Sequence, residues 1–209
     1  IGSLDASELK EQFEPQKKWN YFGELKHSGR SFSVVSKGDK MIANLSPAGK
    51  VERADFLGTK EKFQDMHMKL EFMVTKGSNS GVYFMGRYEI QIFDSFGRKK
   101  FGLGDLGGLY QRWDEERNPK GFEGARPKVN AAKAPGEWQT MEVVFRAPRF
   151  DKNGSKTHHA KFIKVLVNGQ LVHENQIAKG PTRSSKFGDE SAMPAALYFQ
   201  GDHGPMAIR

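Results

Sequence analysis

Apolar and polar residues alternate along much of this chain with the two-residue period of a half-buried strand. The longest run covers residues 66–75, where Met66, Met68, Leu70, Phe72 and Val74 interleave with His67, Lys69, Glu71, Met73 and Thr75. Residues 138–146 repeat the pattern, with Met141, Val143 and Phe145 on the predicted core face. Two further runs, 161–167 and 170–174, flank Asn168-Gly169. That dipeptide predicts a hairpin, because a type I′ turn needs positive φ at both central residues. Shorter patterns predict strands at 31–35, 41–45, 80–85, 87–93 and 195–200. One helix start is visible in Leu4-Asp5-Ala6-Ser7-Glu8-Leu9, with Asp5 as N-cap, Glu8 as its capping-box partner and Leu4 and Leu9 as a staple. Pro15 limits that helix to a few turns.

Many short strands with almost no helix predict an all-β protein, a two-sheet antiparallel β-sandwich or jelly roll with a short N-terminal helix. The strands do not alternate with helices, which excludes a parallel α/β sheet. Residues 97–135 and 179–194 interrupt the pattern and are rich in Gly, Pro and charge, as binding loops or disordered segments are. A length of 209 residues fits one domain spanning 1–209, and 24 aromatic residues provide ample area to bury. No stretch approaches the ~18 consecutive apolar residues of a membrane-spanning helix. The chain has no cysteine, which removes disulfides, thiolate metal sites and cysteine nucleophiles. The net charge of +8 is scattered, with a modest concentration over 146–164 that includes His158 and His159. Without a reading motif this is a solvated basic surface rather than a nucleic-acid interface. No signal peptide is visible at Ile1.

The chemistry-bearing stretch is 77–94. On strand parity Val82 and Phe84 share one face and Tyr83 and Met85 the other; Tyr88, Ile90 and Ile92 oppose Arg87, Glu89, Gln91 and Phe93. If the apolar sets point inward, Tyr83, Arg87, Glu89 and Gln91 project from the outer face of one sheet. That mixture of aromatic, cation, carboxylate and amide resembles a carbohydrate-binding surface, while parity alone favours an ordinary solvated strand face. Near the C-terminus Tyr198 and Gln200 face outward by the same reasoning, and Asp202-His203 follows between Gly201 and Gly204. That pair is either a loop cap or an acid/base pair.

Asn79-Ser80-Gly81-Val82-Tyr83, followed by Gly86-Arg87-Tyr88-Glu89-Ile90-Gln91-Ile92-Phe93-Asp94, resembles the signature of the 3-keto-disaccharide hydrolase family. Gly107-Gly108-Leu109-Tyr110, Pro135-Gly136-Glu137-Trp138, Val167-Asn168-Gly169 and Gln200-Gly201-Asp202-His203-Gly204 follow in that family's order. The resemblance covers roughly residues 55–209. It implies a concanavalin A-like sandwich, a periplasmic or secreted protein, a carbohydrate substrate, and cleavage of glycosides already oxidised to a ketone at C3. Two departures stand out: Gly201 interrupts the family's Gln-Asp-His, and the chain ends at Ile208-Arg209, before the family's short terminal strand.

A conventional retaining or inverting glycosidase needs two carboxylates about 5–5.5 Å or about 6.5–9.5 Å apart. Glu89 and Asp94 are the candidate pair, yet five extended residues span about 16 Å and odd spacing puts the side chains on opposite faces. A 3-keto sugar asks for something else. The carbonyl acidifies the C2 hydrogen, so one base can remove it and expel the C1 substituent, after which water adds. The site then needs a base near C2, an electrophile at the C3 oxygen and an acid near the leaving oxygen. Glu89 and His203 are the catalytic candidates. Asn79, Tyr83, Arg87, Gln91, Asp94, Tyr110, Trp113, Gln200 and Asp202 are the substrate-binding candidates, with Asp202 orienting His203 or binding sugar. No cofactor is expected; Glu89, Asp94, Asp202 and His203 offer metal donors, but no ligand spacing announces a metal. A non-catalytic lectin-like module would use the same face, since one fold hosts many functions. Oligomeric state cannot be read from the sequence.

Overall fold

The computed structural model describes residues 9–209. In chain order the strands are β1 (Asn20–Ser28), β2 (Ser31–Ala43), β3 (Ala54–Phe63), β4 (Met66–Val74), β5 (Asn79–Phe84), β6 (Tyr88–Phe93), β7 (Arg112–Trp113), β8 (Gly121–Phe122), β9 (Gln139–Arg146), β10 (Arg149–Phe150), β11 (Lys156–His158), β12 (Ala160–Val167), β13 (Gln170–Ala178), β14 (Ala195–Gly201) and β15 (Met206–Ile208). A short helix, Leu9–Gln12, precedes them. The capping pattern predicted over residues 4–8 lies outside the described residues.

Two antiparallel sheets stack face to face. The larger has seven strands in the order β1-β2-β15-β4-β9-β12-β13, and the smaller has four in the order β3-β14-β5-β6. Alternation drives the stacking, because each strand offers one apolar row that must leave water. From the small sheet Val82, Phe84, Tyr88, Ile90, Ile92 and Phe199 point inward; Phe72, Val74, Met141, Val143, Phe145 and Phe162 answer from the large one. Phe84 meets Phe145 and Phe162 at ring-centroid distances of 5.1 and 5.2 Å. The Asn168-Gly169 turn has φ of 50° and 77°, the positive pair a type I′ hairpin requires.

Several elements go beyond the predicted set. The stretches predicted at 31–35 and 41–45 are parts of one strand, β2, which bends with β1 so that Phe22, Leu25 and Phe32 form a second core with Met73 on the outer side of the large sheet. Gly23 and Gly38 allow that bend: a Cβ on Gly38 would lie 2.8 Å from the Cα of Gly23. Strands β1 and β3 were not predicted, since their apolar rows are broken by Gly23 and by the polar run 59–62. The last strand of the chain is β15. It sits in the middle of the large sheet, pairing with both β2 and β4.

Candidate functional site

The outward face of the four-stranded sheet gathers the singled-out residues. Antiparallel register places Tyr83 opposite Glu89 and Gly81 opposite Gln91, while Tyr198 pairs with Tyr83 on the other side. The fifth partner comes from the first long loop. Residues 107–110 add to the edge of β6: Gln91 N–H donates to Gly108 O at 2.9 Å and Tyr110 N–H donates to Glu89 O at 3.1 Å. Glu89 is thereby flanked by Tyr83 on one strand and Tyr110 on the other. The face is not solvated. Tyr83 and Glu89 are each 1% exposed, Gln91 4% and Gln200 6%.

The Glu89 carboxyl rests on Gly81, where a Cβ would come within 2.1 Å of Oε1. Only glycine leaves that space, a close approach of the kind a strand glycine marks. Gln91 Nε2 donates to the same oxygen at 2.9 Å, and the Tyr83 hydroxyl also donates to this carboxyl. Burial pushes the carboxyl up to about 8, the Asp202 charge adds to the rise, and the Tyr83 hydrogen bond opposes it. Glu89 is therefore mostly protonated at neutral pH. Burial first, and then the Glu89, Asp202 and Tyr110 charges, drive the Tyr83 hydroxyl far above its ordinary range. Strand pairing thus brings Glu89, Tyr83 and Tyr110 together, with Asp202 near enough for its charge to act on Glu89 and Tyr83.

Asp202 and His203 occupy the link between β14 and β15. His203 Nδ1 is held by Asp202 Oδ1 at 2.5 Å, and both side chains are about half exposed, 49% and 51%. The corner thus offers a half-exposed imidazole whose Nε2 has no hydrogen-bond partner among the described residues. Asn79 shares the outward face through its pairing with Phe93, and its buried Oδ1 has no hydrogen-bond partner. Gln200 lies beside it on β14, its backbone carbonyl held by the Ser80 hydroxyl at 2.7 Å.

Three candidate binding residues have their polar atoms committed elsewhere. Parity aligns Arg87 with Glu89, but its guanidinium turns to the second loop. It donates to Asp189 O and to Met85 O and lies 4.9 Å from the Phe187 ring centroid. Arg87 therefore locks the 179–190 loop onto the sheet, together with Thr182, whose N–H donates to Arg87 O at 2.8 Å. Asp94 caps a turn: Oδ2 accepts from Gly77 N–H at 2.8 Å and Oδ1 from Phe96 N–H at 3.4 Å. Trp113 donates from Nε1 to Glu115 at 2.7 Å, and the Arg183 guanidinium covers its ring at 3.8 Å. A sugar stacking on that face of Trp113 would have to displace a cation.

Sequence reasoning missed Phe56. Its ring meets Tyr83 at 5.1 Å and Tyr198 at 6.2 Å, both edge to face, and Phe187 meets Tyr198 at 5.9 Å. Phe56, Tyr198 and Phe187 are half-buried and extend the aromatic surface from Tyr83 toward β3. On the other side Tyr110 borders a hollow of about 200 Å³ with Leu109, Arg112, Gly180 and Thr182. Glu89 does not itself line this hollow. The strand glycine at position 81 was the available signal for a close approach; Phe56 lies on an unpredicted strand and carried none. Among the described residues no three His, Asp or Glu side chains converge as a metal-binding group.

The chain is an antiparallel jelly-roll sandwich whose smaller sheet gathers a buried acid, amides and aromatic rings on its outward face, with an Asp-His corner at the end of β14. Two solved structures share this fold, both candidate glycosyl hydrolases from Parabacteroides distasonis ATCC 8503. One is 24% identical, with a TM-score of 0.63 over 88% of this chain and 79% of that one. The other is 20% identical, with a TM-score of 0.51 over 92% and 91%. No curated protein matches the chain in sequence. Residues 4–209 match the 3-keto-alpha-glucoside-1,2-lyase-like domain, and the protein belongs to that family. The match takes in residues 4–54, which the motif resemblance left aside. Membership places the protein among carbohydrate-active families.

Proposed function

We propose that the protein cleaves 3-keto glycosides by removing the C2 proton and expelling the C1 substituent, with water then adding to the unsaturated sugar. The observation that carries this reading is a half-exposed imidazole bonded to the Asp202 carboxylate, whose charge in turn reaches the buried Glu89 carboxyl and helps it hold its proton. Proton abstraction falls to His203, because its Nε2 is free and Asp202 on Nδ1 both sets the tautomer and stabilises the imidazolium. Glu89 is the acid of the pair. Two groups with divergent environments, one buried and one half-exposed, divide the two proton-transfer roles. Asn79 and Gln200 supply amides to the sugar oxygens, and Tyr110 forms a wall. Arg87, Asp94 and Trp113 support the surrounding loops.

The test is turnover of a 3-keto glucoside followed by mass spectrometry, with the unoxidised glucoside as control. We expect product from the keto sugar alone and a loss of about 10²–10⁴-fold in kcat for His203→Ala and for Glu89→Gln. Full activity in both variants refutes the assignment. The 1% exposure of Glu89 favours a second reading, a lectin-like module in which the acid only braces the face. Such a module would retain the unmodified sugar and release nothing new.

A further inference from the structure

Among the described residues the Asp202 and His203 side chains make no hydrogen bond or ion pair beyond the one that joins them. The orientation of this corner must therefore come from its backbone, which leaves β14 in one sheet at Gly201 and enters β15 in the other at Met206. A four-residue link between two packed sheets carries carbonyls that face the protein interior with no strand partner. Such groups need donors.

Buried side chains supply them on both sides of the corner. Asn44 Nδ2 donates to Gly201 O at 2.8 Å and to Gly204 O at 2.7 Å, and Asn44 Oδ1 accepts from Met206 N–H at 2.7 Å. Ser80 holds Gln200 O, and Ser78 Oγ donates to Pro205 O at 2.8 Å. Asn44 is fully buried, and each of its three amide bonds goes to this link. It follows Ala43, the last residue of β2, which pairs with Ala207, so the same asparagine ties the link to the centre of the large sheet. Glycine at 204 is required by this packing: φ is 151° and a Cβ would lie 2.7 Å from the Ser78 hydroxyl.

We infer that Asn44 is the positioning residue of the site, fixing where the His203 imidazole points by clamping the backbone before and after it. The inference rests on the reading of His203 as the proton-transfer group. No aliphatic residue can replace the amide, because it serves two acceptors and one donor at once. A carboxylate at this position would set its lone pairs against two carbonyl oxygens. A displacement of the corner by about 1 Å is enough to lower the rate about 10²-fold.

The experiment is a double-mutant cycle on a 3-keto glucoside, using wild type, Asn44→Ala, His203→Ala and the double variant, below their melting temperatures. We expect Asn44→Ala to lower kcat about 10²-fold with KM changed less than about threefold. In the His203→Ala background the same change should lower kcat less than about threefold, because there is no imidazole left to misplace. An equal loss in both backgrounds overturns the inference, as does full kcat in Asn44→Ala. Should Asn44→Ala not fold, Ser78→Ala removes one clamp and must show the same dependence on His203 at smaller amplitude. A second readout needs no turnover. Long-range ¹H–¹⁵N spectra should show the His203 ring as one tautomer in wild type and an averaged pair in the clamp variant. If wild type turns over no keto sugar, the proposed function fails while the tautomer comparison still decides the role of Asn44.

Discussion

Replacing Glu89 by Gln should change the pH dependence of folding in a direction and by an amount that the buried site dictates. The folded carboxyl is raised from its ordinary 4.5 to about 8, chiefly by burial. Below pH 4.5 it is protonated whether the chain is folded or not. Above that, the unfolded chain releases the proton while the folded protein keeps it up to about pH 8. Stability therefore falls as pH rises through this window, by about 1.4 kcal/mol per pH unit for the one proton. Across about 3.5 pH units the loss reaches about 5 kcal/mol, and solvent screening does not reduce it much because the residue is 1% exposed. Gln copies the shape of the protonated acid, keeps an oxygen for the Gln91 amide and cannot ionise. Urea denaturation of both proteins from pH 4.5 to 9 gives the comparison, read as the difference between the two curves so that other titrating groups cancel. The difference should tilt in favour of the variant as pH rises and flatten above about pH 8. Parallel curves would mean that Glu89 ionises as an exposed carboxylate does, and the case for it as the site's acid would be lost.

Three further outcomes follow from the geometry. His173, on β13, is 3% exposed; burial pulls it down to about 4, with Lys128 adding to the fall and a hydrogen bond to Gly107 opposing it. The unfolded chain takes up this proton near pH 6.5 and the folded protein only near 4, so stability should drop by about 3 kcal/mol as pH falls through that window. His173→Leu should flatten this acid limb in urea titrations; an unchanged limb would place the acid sensitivity elsewhere. Gly81→Ala puts a methyl 2.1 Å from Glu89 Oε1, so the carboxyl must move. It should cost about 1–3 kcal/mol in thermal or urea unfolding and most of the turnover; wild-type turnover in this variant would detach Glu89 from the reaction. Asp94→Ala leaves the Gly77 and Phe96 amides without acceptors. It should lower stability by about 1–2 kcal/mol while leaving KM for the keto sugar unchanged, and a raised KM would return Asp94 to the binding surface.

The sandwich, the Asn168-Gly169 hairpin and the two faces of residues 79–93 were legible in the order of residues, because strand parity and positive-φ turn chemistry are local properties. Glu89, Gln91 and Tyr83 could be assigned to one face on spacing alone. Their environment could not, since what covers a strand face arrives from far along the chain: Tyr110 by pairing on β6, and Asp202 by the crossing from β14 to β15. That cover turns an ordinary carboxylate into an acid that keeps its proton near pH 7. The side-chain directions of Arg87 and Asp94 were also out of reach. A long guanidinium follows the strongest acceptors available, here in a loop a hundred residues away, and a carboxylate at a strand end closes on the nearest free amides. The weight carried by Asn44 is of the same kind. Local pattern settled which side of the sheet each residue occupies, whereas charge state, burial and orientation waited for the packing of distant segments, because electrostatic energy depends on everything within a few ångströms and not on neighbours in sequence.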